Sequence, residues 1–232
     1  MLTKDDSGKI RGRALKKQVL SLLMSLEGER LEKALDDFEP RRVASPLIGL
    51  LCSGRPDIRW KAVAALGHVA DRLAHRHPES AREIMRRFLW QMNEESGGIG
   101  WGVPEAMGEA MARNPMLAKE FGNILVSWLC PGGNYLEHDP IRASVVWAIG
   151  RMARTRPEIA APAKEALLES LDSGDRIERA YAAWALVRMG ENLPEKAISL
   201  LCQDNLPVTL LEDGRIMEIV PAVLAMQGGC LP

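Results

Sequence analysis

The sequence predicts an all-α fold, a right-handed α-α superhelix with a small β-hairpin in its C-terminal cap. Three observations predict it. A ten-residue apolar segment recurs from Ile58, Ile99, Ile141 and Glu178, its starts 41, 42 and 37 residues apart. A proline follows each copy, at Pro78, Pro115, Pro157 and Pro194, and opens another apolar-periodic stretch, at 79–92, 116–130, 158–171 and 195–203. Third, the copies are rich in alanine and glycine, which lets helices approach closely. A period of this length marks stacked repeats. Proline suits a helix start because its missing N–H is one the first turn leaves unpaired.

The elements follow in order. Residues 1–14 are polar and read as a flexible arm. An apolar helix is expected over 15–26 and an amphipathic one over 30–38; Glu39-Pro40 breaks it, and Pro46 starts another helix through Cys52. The copies then read IRWKAVAALG at 58–67, IGWGVPEAMG at 99–108, IRASVVWAIG at 141–150 and ERAYAAWALV at 178–187. Helix, short turn and proline-initiated helix form the unit, and one pair cannot bury its apolar stripe without neighbours. The chain divides into a single repeat domain with units at about 15–53, 54–92, 93–132, 133–172 and 173–204 and a cap at 205–232.

Within the units, Ala62, Ala65, Ala148, Ala182 and Ala185 provide the small contact surfaces. Trp60, Trp128, Trp147 and Trp184 fall in apolar rows and read as core. Arg59, Arg142 and Arg179 stand in the first turn of the leading helices. They are expected to pair with the acidic turn residue of a neighbouring unit (Asp57, Asp139, Asp175), the other reading being a basic ligand-binding row. Cys52, Cys130 and Cys202 each end a similar apolar segment and read as a recurring buried residue. They form no C-x-x-C pair, which argues against zinc and redox motifs. Near the C-terminus, Asp213-Gly214 between β-prone flanks (VTLLEDGRIMEIV, 208–220) predicts a hairpin, followed by a short helix from Pro221. The cap is expected to cover the open end of the last unit.

The pattern I-R-x-x-A-x-x-A-L-G, carried by Ile58, Arg59, Ala62, Ala65, Leu66 and Gly67, by Ile141, Arg142, Val145, Ala148, Ile149 and Gly150, and by Arg179, Ala182, Ala185 and Leu186, resembles the HEAT family. The likeness is to the short bacterial HEAT-like repeats of the phycobilisome-lyase type and covers about residues 54–203. It implies a HEAT-like solenoid and, on its own, no particular activity.

Composition narrows the function further. With 47% hydrophobic and 26% charged residues the chain is globular, and a net charge of −1 argues against a general nucleic-acid or membrane-surface binder. No apolar run reaches the ~20 residues of a membrane span, and the N-terminus lacks a signal-peptide core; both point to a cytoplasmic protein. His68, His75 and His77 form no ordered ligand set, so no metal and no cofactor are expected. No nucleophile motif occurs either.

The second copy breaks the rule of the others. Its arginine position is Gly100, among Gly97, Gly98 and Gly102, with Trp101 between glycines and Glu94 and Glu95 before them. Three readings stand. The glycines make a tight turn and Trp101 plugs the core; or the loop at 93–104 displays Glu94, Glu95, Trp101 and Glu105, with the concave face of the proline-initiated helices, to a protein partner. In the third, Gly97, Gly98, Gly100 and Gly102 cradle an anion ahead of a helix N-terminus. The protein-binding, non-catalytic reading is adopted. The alternative is DNA binding or repair: the chain is similar in its repeats to the HEAT-like alkylpurine DNA glycosylases, and that likeness implies a role for Trp101 and for a basic patch at Arg72, Arg76, Arg82, Arg86 and Arg87. A contiguous basic groove would distinguish it.

Overall fold

In the computed structural model, residues 12–93, 100–136 and 139–229 are described. The helices are α1 (Gly12–Ser25), α2 (Gly28–Asp36), α3 (Pro40–Ile48), α4 (Pro56–Arg76), α5 (Pro78–Met92), α6 (Val103–Arg113), α7 (Pro115–Ser127), α8 (Asp139–Ala153), α9 (Pro157–Ala160), α10 (Lys164–Ser170), α11 (Arg176–Arg188), α12 (Glu195–Cys202) and α13 (Pro221–Gly229). Strands β1 (Val208–Glu212) and β2 (Arg215–Ile219) form an antiparallel hairpin between α12 and α13.

The leading helices α4, α6, α8 and α11 pack one on the next along the chain. They are apolar nearly all round, as a helix enclosed on every side must be. Every residue from Ala180 to Leu186 of α11 is buried, as is every residue from Val103 to Ala112 of α6. The proline-initiated helices are one-sided instead: α5 buries Ala81, Ile84, Met85 and Phe88 and turns its charges to solvent. Glycine sets the spacing of the leading row. A Cβ on Gly108 would lie 2.7 Å from both Cα and Cβ of Ala148, and one on Gly150 would lie 2.7 Å from Cβ of Ala185. Val187 takes the same place in the last copy, where no further leading helix follows and α13 packs instead. Through this row runs an aromatic ladder: Trp60 meets Trp147 edge-on at 4.9 Å between centroids, and Trp147 stacks on Trp184 at 6.2 Å.

Several expectations need correction. The small residues lie on the leading helices, so those are drawn together; the proline-initiated helices touch each other less and lie on the wider side. Pro46 lies inside α3 rather than at its start, because Glu39 caps the helix earlier, accepting from the N–H groups of Arg41 and Arg42. The stretch 158–171 is broken into α9, a 3₁₀ turn at Ala161–Ala163 and α10, since Pro162 cannot continue the hydrogen-bond ladder. Cys52 and Cys202 are exposed and Cys130 half-buried; the recurring buried residue is the leucine before each, Leu51, Leu129 and Leu201.

The arginine pairing also differs. Arg142 does reach the next unit, but to the buried Glu178 (2.9 and 3.1 Å) rather than to Asp175, which caps α11. Arg179 turns back to the Ser173 carbonyl of its own unit.

The hairpin forms as expected, with Asp213 at φ 49° and Gly214 at φ 75° in a two-residue turn. Its position is not at the open end. α13 closes that end against α11 and α12, with Leu193 against Gly228. The hairpin instead lies over the leading row, from α11 to the start of α2: the Tyr181 hydroxyl donates to the Thr209 carbonyl (2.6 Å), and buried Gly214 abuts Gly28.

Candidate functional site

Two tryptophans flank the connection from α5 to α6. The buried stripe of α5 runs through Ala81, Ile84, Met85 and Phe88, which puts Trp90 off it, 66% exposed. Trp101, at the other end of the connection, is 37% exposed, while Trp60, Trp128, Trp147 and Trp184 are all buried. Gly100 brings the two ends together, since a Cβ there would meet the Met92 sulfur at 2.8 Å and lie 3.4 Å from the Gln91 carbonyl. Gly102 has φ +74°, a backbone conformation that favours glycine, and a Cβ there would lie 3.1 Å from Leu51 Cβ. Glu94, Glu95, Gly97 and Gly98 lie outside the described residues.

Glu105 is not a surface residue. It is 2% exposed and accepts from the Ser144 hydroxyl (2.8 Å), because it occupies the place in its copy that Trp147 and Trp184 hold in theirs. Burial pushes its carboxyl above the usual range, against the pull of the nearby Arg59. Arg59 is thus the one leading arginine that faces a glutamate of the irregular copy. The anion-cradle geometry is also missing from the first turn of α6. Val103 N–H bonds the Gly100 carbonyl, Pro104 has no N–H, and Glu105 N–H serves its own side chain.

The basic patch of 72–87 does not form a groove. Arg72 is tied to the Leu35 carbonyl and to Asp36 on α2; Arg82 pairs with Glu120 (2.7 Å) and Glu79, and Arg86 with Glu79 (2.6 Å). Arg87 donates to Ser45, and Arg76 ends α4. Three of the five, Arg72, Arg82 and Arg86, are thus paired with carboxylates on α2, α5 and α7, which lowers the charge they offer to a phosphate backbone.

A different basic set was not anticipated. A basic residue stands in the last turn of α6 (Arg113), α8 (Arg151) and α11 (Arg188), a recurrence visible in the sequence, where the helix dipole favours it. Glu109, with no exposed surface, receives Arg113 at 2.6 Å and Arg151 at 2.6 Å, and Arg113 also reaches Glu32 on α2 (2.7 Å). Arg154 pairs with Asp213 (2.7 Å) and Glu212, and Arg188 with Glu212. Among the described residues no group of three or more His, Cys, Asp or Glu is placed to hold a metal ion, and no helix is long and apolar enough to cross a membrane.

Residues 139–189 match the model of the HEAT-like repeat. An uncharacterised protein of Archaeoglobus fulgidus is 28% identical over 162 residues, which span 69% of this chain and 80% of that protein. Among solved structures, a computationally designed armadillo repeat protein made for modular peptide recognition aligns with a TM-score of 0.51 at 16% identity, covering 97% of this chain and 93% of its own. A designed armadillo repeat protein in complex with the peptide (KR)4 aligns with a TM-score of 0.50 at 16% identity, covering 81% and 78%. At this identity the likeness shows the fold.

Proposed function

We propose that this HEAT-like repeat solenoid is a non-catalytic protein-binding module whose partner surface centres on Trp90 and Trp101. One observation carries the reading: two exposed tryptophans bracket one inter-helix connection in a chain whose other four are buried. Exposed aromatic side chains of this size are the residues that dominate binding energy at protein interfaces. Glu94 and Glu95 stand between them in the sequence and add negative charge to the same connection. The designed armadillo proteins that share the fold recognise peptides, which supports a protein or peptide partner in kind. The ion pairs of Arg72, Arg82 and Arg86 weigh against the nucleic-acid reading.

The test is affinity capture with wild-type bait beside a Trp90→Ala/Trp101→Ala bait of equal melting temperature. A protein retained by the first and lost by the second is the expected result. Identical captures would refute the surface.

A further inference from the structure

At the seam between the fourth and fifth units the fold leaves an open cavity of about 160 Å³, lined among others by Tyr135, Arg142, Glu169, Ser170, Asp172 and Glu178. Its back is the pair that joins the units. The Arg142 guanidinium holds Glu178 at 2.9 and 3.1 Å and donates to the Tyr135 hydroxyl at 2.9 Å, while Ser173 donates to Glu178 at 2.8 Å. These groups answer one another. Two others that line the same space are not answered. Asp172 is taken by Lys196 at 2.8 Å, but Glu169 has no ion pair or hydrogen bond through its carboxylate among the described residues. Ser170 is 6% exposed, and its hydroxyl has no hydrogen-bond partner among the described residues. Buried polar groups nearly always have partners, so an unanswered one beside a cavity marks a place for a ligand atom.

The chemistry of the lining selects the ligand. An anion is disfavoured, because Arg142 is already matched by Glu178 and the unmatched charge is the Glu169 carboxylate. An apolar group would leave the Ser170 hydroxyl buried without a partner. A cation with N–H donors answers both, through charge-assisted hydrogen bonds to the Glu169 carboxylate and the Ser170 oxygen. Those two acceptors stand on successive residues of α10 and so point in different directions. An ammonium carries three donors that diverge to meet them, whereas the donors of a guanidinium lie in one plane. Leu129 and Ala166, both buried, give the cavity apolar lining for a methylene stem. Its volume falls below the roughly 300–1,000 Å³ of drug-sized ligand sites and suits a single side chain.

We propose that this cavity binds an alkylammonium group, with the Glu169 carboxylate and the Ser170 hydroxyl as its acceptors. It is built on α8, α10 and α11, away from Trp90 and Trp101, so either proposal can fail alone. Two sources present such a group, a lysine side chain of a partner and a free aliphatic diamine, and the probes separate them. Nα-acetyl-lysine methylamide, cadaverine and, as control, Nα-acetyl-norleucine methylamide are titrated into the isotope-labelled full chain. The readout is the backbone N–H resonances of Ser170 and Ser173. Both amines should shift these resonances; the norleucine compound, which has the stem without the charge, should not. Tighter binding of the lysine compound assigns the site to a protein partner, and tighter binding of cadaverine assigns it to a free amine. Glu169→Gln, at an exposed position, should weaken both amines about tenfold or more, as loss of a charge-assisted hydrogen bond requires. Ser170→Ala should weaken them as well. No shift with either amine, an equal response to the norleucine compound, or undiminished binding by Glu169→Gln overturns the proposal. The wild-type titration decides the first two outcomes without any variant having to fold.

Discussion

Replacing Gly108 by alanine tests the packing of the leading row where a helix backbone lies against it. The new methyl would lie 2.7 Å from Ala148 Cα, 2.7 Å from its Cβ and 2.8 Å from its carbonyl oxygen. None of these atoms belongs to a flexible side-chain end, so α6 and α8 must separate. Overpacking of this kind costs about 1–3 kcal/mol, and a backbone collision falls at the upper end. Alanine's better helix propensity returns about 1 kcal/mol. The expected net loss is about 2 kcal/mol, a melting-temperature drop of about 4–8 °C for a chain of this size. Gly12→Ala is the control, because nothing lies within 4 Å of its Cβ position. Urea denaturation followed by circular dichroism, with the slope checked for constancy, measures both. A Gly108→Ala protein as stable as wild type would refute the close approach of α6 to α8.

Further outcomes follow from the buried groups. Glu109→Ala leaves the Arg113 and Arg151 guanidiniums without their shared carboxylate and should cost about 3–5 kcal/mol by the same denaturation assay. Trp101→Ala should cost less than Trp147→Ala, for which about 3–5 kcal/mol is expected. Glu105 has a folded pKa raised above its unfolded value, so the stability it lends is complete below the unfolded pKa and falls as pH rises through the folded one. Melting temperatures of Glu105→Gln and wild type should accordingly agree best near pH 4, with the variant gaining on wild type as the pH is raised. In a Cys230→Ser background, Cys52 and Cys202 should react with a thiol reagent faster than Cys130, whose thiol burial pushes upward.

Local signals in the sequence were legible where they repeat. The recurrent IR-type copies located α4, α8 and α11, the prolines located α5 and α7, and Asp213-Gly214 located the turn of the hairpin. Each rests on interactions within a few residues or between adjacent units. The docking of the hairpin over α11, α4 and α2 was not legible, because it joins residues far apart in the chain and leaves no periodic trace. Glu105 was misplaced although its alignment with Trp147 and Trp184 marks an inward position; its charge suggested a surface. Trp90 was passed over although Ala81, Ile84, Met85 and Phe88 define a stripe that excludes it. The helix-end arginines Arg113, Arg151 and Arg188 were passed over beside the denser run at 72–87, where Arg72, Arg82 and Arg86 are held in ion pairs.

The partner surface is tested most directly by photo-crosslinking in the native host. A benzophenone amino acid would be placed at position 90 or 101, with controls at exposed Lys119 on α7 and Met226 on α13. Covalent products of one shared size from positions 90 and 101, and none from 119 or 226, are the predicted result. Products from the controls alone would place the partner elsewhere and contradict the account.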